Sequence, residues 1–140
     1  MANPEEEVAK ANESFYRAFE GLDLKAMAKV WAQSDDVQCG HPGWQILRGR
    51  GAVIESWRQI FENSPEIFFV LSNVSIEIRN TIAWVTLYEN IHSSGEGQEV
   101  LATVLTTNIF ERGRDGWCMI HHHGSSVAQP PTPGHSSTVH

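Results

Sequence analysis

Apolar residues in the first half of the chain recur at intervals of three and four, which is the period of an α-helix. The first such segment runs from residue 8 to residue 22, and the glycine at 21 predicts that its helix ends at about Glu20. A second, shorter helix is predicted after Asp23, and a third over residues 52–63. Each segment has one apolar side, so each helix is expected to pack on a core.

The pattern changes to that of β-strands from Ile67 onward. The predicted strands cover residues 37–39, 67–78, 82–92, 99–111 and a last segment that follows residue 116. We expect a bulge near Ser72 and Asn73, where the alternation in the first long strand is interrupted. A loop is predicted at 93–97, and the Gly- and Asp-containing stretch 112–116 predicts a hairpin turn.

This order of elements predicts an α+β domain in which three helices precede a run of antiparallel strands. A bent sheet is expected to wrap around the helix layer, with a pocket between them. The strands from residue 82 onward are apolar on both faces, which predicts helices on one face and the partner subunit of a homodimer on the other. The domain is predicted to span residues 1–127, and the Pro/Ser/Thr-rich residues 128–140 to form a flexible tail.

Composition and charge exclude several classes of function. The 140 residues are 41% apolar, the size and content of one domain with one core. The 10 basic and 17 acidic residues give a net charge of −7, which argues against nucleic acid or an anionic membrane as a partner. No stretch approaches the roughly 20 apolar residues of a membrane span, and the acidic N-terminus is unlike a secretory signal, so we expect a cytoplasmic protein. Cys39 and Cys118 lack zinc-type spacing, and reduced thiols are favoured over a disulfide.

Three consecutive histidines in the last predicted strand are the most conspicuous candidates for chemistry. Side chains alternate along a strand, so His121 and His123 share one face and His122 lies on the other. Three interpretations remain open: pocket residues for a small organic ligand, a zinc or copper site completed by His41 or His92, or hydrogen-bonded residues at a subunit interface. Metal is disfavoured, because alternate strand residues stand about 6–7 Å apart and no carboxylate or cysteine is placed to complete the site.

Four segments of the chain resemble one group of known proteins. They read GLDLKAMAKVWA, HPGW…LRGRGAVIESWRQIF, IAWVTLYE and DGWCMIHHHGSS. Together they resemble the nuclear transport factor 2-like superfamily, and within it the SnoaL-like and ketosteroid-isomerase-like proteins, over residues 5–127. The last two segments also resemble the association domain of calcium/calmodulin-dependent protein kinase II. The resemblance implies a cone-shaped fold with three N-terminal helices on a strongly bent, mixed or antiparallel sheet.

The resemblance also implies site residues. In the isomerases the catalytic base, an aspartate, precedes the proline of the loop after the first strand, and that position is His41 here. Imidazole is a competent base near neutral pH. The isomerases' oxyanion tyrosine aligns best with Phe15, whereas Tyr16 is one residue off and is expected to point about 100° away. We find no clear match for the second acid of their oxyanion hole.

In the kinase association domain, arginines line the pocket. The corresponding positions here are Thr86, Asn108 and Gly124, none of which is basic. The anion-binding character of that pocket is therefore not expected in this chain.

We therefore predict a small-molecule-binding SnoaL-like protein with an apolar pocket and neither cofactor nor metal. If it is an enzyme, it is an isomerase, cyclase or dehydratase (a lyase) that acts on a small apolar or carbonyl-bearing molecule, with His41 as the base. The alternative is a non-catalytic ligand-binding or oligomerisation module. The predicted pocket residues are Tyr16, Trp44, Trp57, Trp84, Thr86, Asn108, His121 and His123.

Overall fold

A computed structural model describes residues 3–94 and 100–128 as three helices and six strands. The helices are α1 (Pro4–Glu20), α2 (Leu24–Val30) and α3 (Arg50–Asn63). The strands are β1 (Gln38–Gly40), β2 (Leu47–Arg48), β3 (Ile67–Arg79), β4 (Ile82–Ser93), β5 (Val100–Gly113) and β6 (Gly116–Ser126). Most of the predicted 93–97 loop and all but the first residue of the predicted tail lie outside the described residues.

The six strands form one mixed sheet in the order β2-β1-β6-β5-β4-β3. The four long strands are antiparallel neighbours, whereas β1 runs parallel to β6. The sheet is curled but not closed. The register of β3 on β4 shifts between Ser72 and Ser75, where Asn73 has a φ of 55°, so the predicted bulge is confirmed. The α+β prediction is confirmed as well.

Hydrogen bonds to side chains fix the starts of the first two helices. The Asn3 side chain accepts a hydrogen bond from the Glu6 N–H at 2.8 Å, and Asp23 caps α2 in the same way. At the other end of α2, the Arg50 guanidinium donates hydrogen bonds to the carbonyls of Ala28, Trp31 and Ala32, at 2.7 to 3.0 Å. The first residue of α3 thus satisfies carbonyls that the end of α2 leaves unpaired.

The core lies between the helices and one face of the sheet, the interior face. On β4 that face carries alternate residues: Ala83, Val85, Leu87 and Glu89 are buried, and the residues between them are partly exposed. No helix of the described residues covers the opposite, outer face, and there Trp84, Tyr88 and Ile109 are only half-buried. No helix in the described part of the chain is long and apolar enough to span a membrane.

Candidate functional site

A continuous set of buried polar side chains crosses the interior from the helix layer to the sheet. Its members are Asn12 and Tyr16 on α1, Glu89 on β4, Asn108 on β5 and His122 on β6. We call this set the polar string. Asn108 lies opposite His122 in the β5–β6 register, which brings the two side chains together on the interior face.

The hydrogen bonds of the polar string have a defined direction. The Asn108 amide group donates to the Asn12 amide oxygen at 2.9 Å and to the Tyr16 hydroxyl at 3.2 Å. Its own oxygen lies 2.6 Å from His122 Nδ1 and can only accept, so His122 carries its proton on Nδ1. The Tyr16 hydroxyl then donates to Glu89 Oε2 at 2.5 Å. The string therefore ends at a carboxyl group that accepts.

Glu89 is a buried acid with unusual electrostatics. It is 3% exposed, and burial raises its pKa to about 7, although the Tyr16 and Thr106 hydroxyls favour the ionised form. No Lys or Arg of the described residues lies within ion-pair distance of its carboxyl group. Burial, together with the nearby Glu89 charge, raises the pKa of Tyr16 well above its usual value. Burial also holds the pKa of His122 well below its usual value, so that imidazole is neutral.

A groove between α1 and β3 reaches the polar string from the surface. Its volume is about 400 Å³, within the range of small-molecule sites. Asn12 and Tyr16 line its α1 wall, and the apolar side chains of Phe69, Leu71 and Ile76 line its β3 wall. We call it the α1–β3 groove. It brings an apolar surface and the Tyr16 end of the polar string into one concave site.

Two further grooves have volumes of about 530 Å³ each but lack such a polar end. The α1–α2 groove is lined by small residues such as Ala11 and Ala18 and by Trp117. The α2–α3 groove lies over Ala28, Ile54 and the charged residues around them. No member of the polar string lines either groove.

His41, the predicted base, is buried and engaged within the interior. Ser56 donates its hydroxyl proton to the Val53 carbonyl at 2.6 Å, so His41 Nε2 must donate to the Ser56 oxygen, at 2.8 Å. Cys39 Sγ lies 3.5 Å from Nε2 and 3.8 Å from Nδ1 of the same ring. Burial lowers the pKa of His41 to about 4, which leaves a weak base. His41 lines none of the three grooves described above.

The two tryptophans predicted beside His41 differ in burial. Trp57 is fully buried, and its ring lies 4.6 Å from the His41 ring and 5.7 Å from that of His122. Trp44 stands on the loop after β1 and is 43% exposed, with its ring 4.9 Å from His41. Trp57 is thus a core residue, and Trp44 covers His41 from the solvent side.

Four predicted pocket residues lie on the outer face of the sheet. Trp84 and Thr86 alternate with the buried residues of β4, and His121 and His123 flank the buried His122 on β6. The prediction that they share one interior wall with Asn108 is therefore wrong. Because the strands are apolar on both faces, the sequence did not reveal which face meets the helices.

Sequence reasoning placed Tyr16 in the pocket but missed Glu89. Tyr16 is one residue away from the position that aligns with the isomerase tyrosine, yet it reaches the interior, because α1 packs with both Phe15 and Tyr16 buried. Glu89 continues the buried series at 83, 85 and 87, and an acid at such a position was the available signal. Asn12 carried a comparable signal, since it lies four residues after the buried Val8 on the same helix.

The described residues include no group of three or more His, Cys, Asp or Glu side chains arranged to hold a metal ion. The rings of His121 and His123 are 6.5 Å apart and meet at a steep angle. Cys39 and Cys118 are both free thiols.

Comparison with known proteins gives a consistent result. A family model described as a SnoaL-like domain matches residues 8–129. The F-box protein SKIP8 of Arabidopsis thaliana is 31% identical over 118 residues, which are 84% of this chain and 48% of that protein, so the chain spans about half the length of this relative.

Two solved structures resemble this chain over most of their length. A putative dehydratase of the NTF2-like family from Streptomyces avermitilis is 36% identical with a TM-score of 0.81, over 89% of this chain and 96% of that one. A putative calcium/calmodulin-dependent protein kinase type II association domain from Thiobacillus denitrificans is 32% identical with a TM-score of 0.78, over 84% of this chain and 92% of that one.

Proposed function

The chain belongs to the SnoaL-like domain family, with an NTF2-like fold, and we propose that it binds a small organic molecule in the α1–β3 groove. The observation that carries this proposal is the meeting of an apolar groove with a buried polar string at Tyr16. Small-molecule sites typically combine mostly apolar walls with a few fixed polar groups and titratable residues of perturbed pKa. Glu89, directly behind Tyr16, is such a residue.

The geometry does not favour the acid–base role that we expected of His41. Its Nε2 proton is donated to Ser56, and the residue lines none of the three grooves. A neutral imidazole with a pKa of about 4 is also poorly matched to proton abstraction near pH 7. Binding is therefore the function that we propose, with Tyr16 and Glu89 in place of His41 as the polar groups of the site.

Two valines of β3 provide a matched test. Val74 lines the α1–β3 groove and Val70 does not, yet the two are almost equally exposed, at 48% and 47%. The Val74→Trp variant should fill the groove and lower fragment affinity by at least about tenfold, whereas Val70→Trp should leave affinity within about twofold. Saturation-transfer NMR with a mixed library of small aromatic and alicyclic fragments measures the affinity of both variants. Equal binding by the two variants would place the site elsewhere.

A second candidate function is self-association through the outer face of the sheet. The specific observation is an apolar surface there, formed by exposed Leu105 with half-buried Trp84, Tyr88 and Ile109. The related structure named as a kinase association domain supports this candidate. The proposed occupant of the face is a second copy of this chain, because both copies would then cover the same apolar surface.

The charge variant Leu105→Glu tests self-association. Wild-type protein should have twice the chain mass of 15.7 kDa by light scattering after size-exclusion chromatography, and Leu105→Glu should have the mass of one chain. A charge at the centre of the interface would otherwise be buried without a partner. Ile46→Glu is the control, because Ile46 is also exposed but lies on the loop before β2. A monomeric wild type, or a dimeric Leu105→Glu variant, would contradict this candidate.

A further inference from the structure

We propose that the molecule bound in the α1–β3 groove carries an ammonium group, which pairs with the carboxylate of Glu89 at the Tyr16 end of the groove. This inference rests on the proposed function, since it names the chemical class of the ligand of that same site. It follows from three features of the site: the direction of its hydrogen bonds, the absence of a protein cation, and the acids and aromatic rings around the groove.

The first feature is the direction of the polar string. Protons are donated from His122 towards Asn108, from Asn108 towards Tyr16, and from Tyr16 to Glu89. The Tyr16 proton is therefore already used, so the Tyr16 hydroxyl oxygen and the Glu89 carboxylate can only accept a further hydrogen bond. A ligand that donates several N–H bonds complements this end, whereas a carboxylate or phosphate does not.

The second feature is a missing positive charge. A buried carboxylate is costly unless a cation or several donors accompany it. Within the described residues, the ion pairs join Arg17 to Glu13 and Arg58 to Glu55 and Glu62, and none includes Glu89. Among the described residues, Glu89 therefore has no counterion, and its carboxyl group lies directly behind Tyr16, which lines a groove that a small cation can enter.

The third feature is the lining of the groove itself. Glu13 and Glu20 both line it, and Arg17, the one cation among its lining residues, is bonded to Glu13. Glu20 is held towards β3 by the N–H of Phe69, which donates to its carboxylate at 2.8 Å. The rings of Tyr16 and Phe69 lie 5.2 Å apart at a steep angle and present aromatic surface to a cation.

The ammonium would lie against the Tyr16 hydroxyl oxygen, which is 2.5 Å from Glu89 Oε2. Its apolar body would lie along Leu71 and Ile76 on the β3 wall. Other titratable groups that face Glu89 are Tyr16 on α1 and Cys39 on β1, whose thiol pKa the Glu89 charge raises further after burial. Both of these groups stay protonated near neutral pH, so Glu89 alone sets the charge of this end.

Three compounds of nearly the same shape test the inference. They are 2-phenylethylamine, 2-phenylethanol and 3-phenylpropanoate, titrated at pH 8 into ¹⁵N-labelled protein. The amine should bind at least about tenfold more tightly than the alcohol, the gain typical of one charge-assisted hydrogen bond, and the carboxylate should bind most weakly. In the Glu89→Gln variant the preference for the amine over the alcohol should fall to about twofold or less. Glu77→Gln, which removes an exposed acid from the outer side of β3, should retain it.

The outcomes separate this inference from the proposed function. If all three compounds shift the amide signals of Tyr16 and Phe69 with similar affinity, the ammonium preference is wrong and groove binding stands. If Glu89→Gln retains the full preference for the amine, Glu89 is not its partner and the inference is overturned. If no member of the series or of the fragment library shifts those signals in the wild type, the proposed function fails as well. Denaturation of each variant by urea checks that it is folded.

Discussion

Replacing Glu89 with glutamine is expected to raise the free energy of unfolding at pH 8 by about 3 kcal/mol and to change it little at pH 4.5. The physical reason is the cost of a buried carboxylate without a cation. Glutamine has nearly the same shape, and its amide oxygen can accept the Tyr16 hydrogen bond. Its NH₂ group can donate to the oxygen of the adjacent Thr106 hydroxyl.

The direction of this stability change follows from the raised pKa of Glu89, which is about 7 in the folded protein against 4.5 for an ordinary glutamate. Between these two values the unfolded chain has lost the proton and the folded protein keeps it, so the wild type loses stability as pH rises from 4.5 to about 7. Above pH 7 the wild type has lost all of this stability, and the difference from Glu89→Gln stays constant. Each unit by which the folded pKa exceeds the unfolded one lowers the stability of the wild type by about 1.4 kcal/mol, and this gives the expected gain of about 3 kcal/mol for Glu89→Gln.

Urea denaturation of wild type and Glu89→Gln at pH 4.5 and pH 8 measures the effect. Glu77→Gln is the matched control, because Glu77 is exposed on β3, and its stability difference from wild type should stay within about 0.5 kcal/mol at both pH values. A Glu89→Gln variant that is less stable than wild type at pH 8 would contradict the account. It would mean that the carboxylate stabilises the fold rather than being retained for binding.

Replacing Trp57 with alanine is expected to lower the free energy of unfolding by about 4 kcal/mol. Trp57 is fully buried and its ring packs against those of Phe15, Phe19, Phe61 and His41. Its removal leaves a cavity between α1, α3 and the sheet that these rings cannot fill without moving.

The control for Trp57→Ala is the same substitution at Trp44. Trp44 is 43% exposed on a loop and its ring lies beside that of His41, so Trp44→Ala should cost less than about 1 kcal/mol. Chemical denaturation at one pH measures both variants. Similar losses at the two positions would contradict the assignment of Trp57 to the core and of Trp44 to the surface.

The elements that could be predicted from the sequence are those with a strong local signal. Helix α1 has a capping Asn3, a proline in its first turn and a glycine after its last residue, and its end at Glu20 matches the prediction. The long strands and the bulge were also visible, because alternation extends over many residues there. Strand β2 was missed, since two residues are too few to show alternation and the strand exists only through its pairing with β1.

The site was less predictable, because it depends on which face of the sheet meets the helices. Alternation correctly separated His122 from His121 and His123, yet it does not say which of them is interior. Trp84 and Thr86 were predicted to line the pocket from alternation as well, and they lie on the outer face of the sheet. Partners distant in sequence, such as Tyr16 and Glu89, meet only through packing, so neither their contact nor the groove was readable from local patterns.

The most direct test of ligand binding in the α1–β3 groove is a crystal structure of the protein with a bound fragment identified in the NMR screen. Ligand density is expected between α1 and β3, with the apolar part of the ligand on Leu71 and Ile76. A polar atom of the ligand should lie within about 3.2 Å of the Tyr16 hydroxyl or the Glu89 carboxylate. Density beside His41 and Trp44, or in the α1–α2 groove, with an empty α1–β3 groove would contradict it.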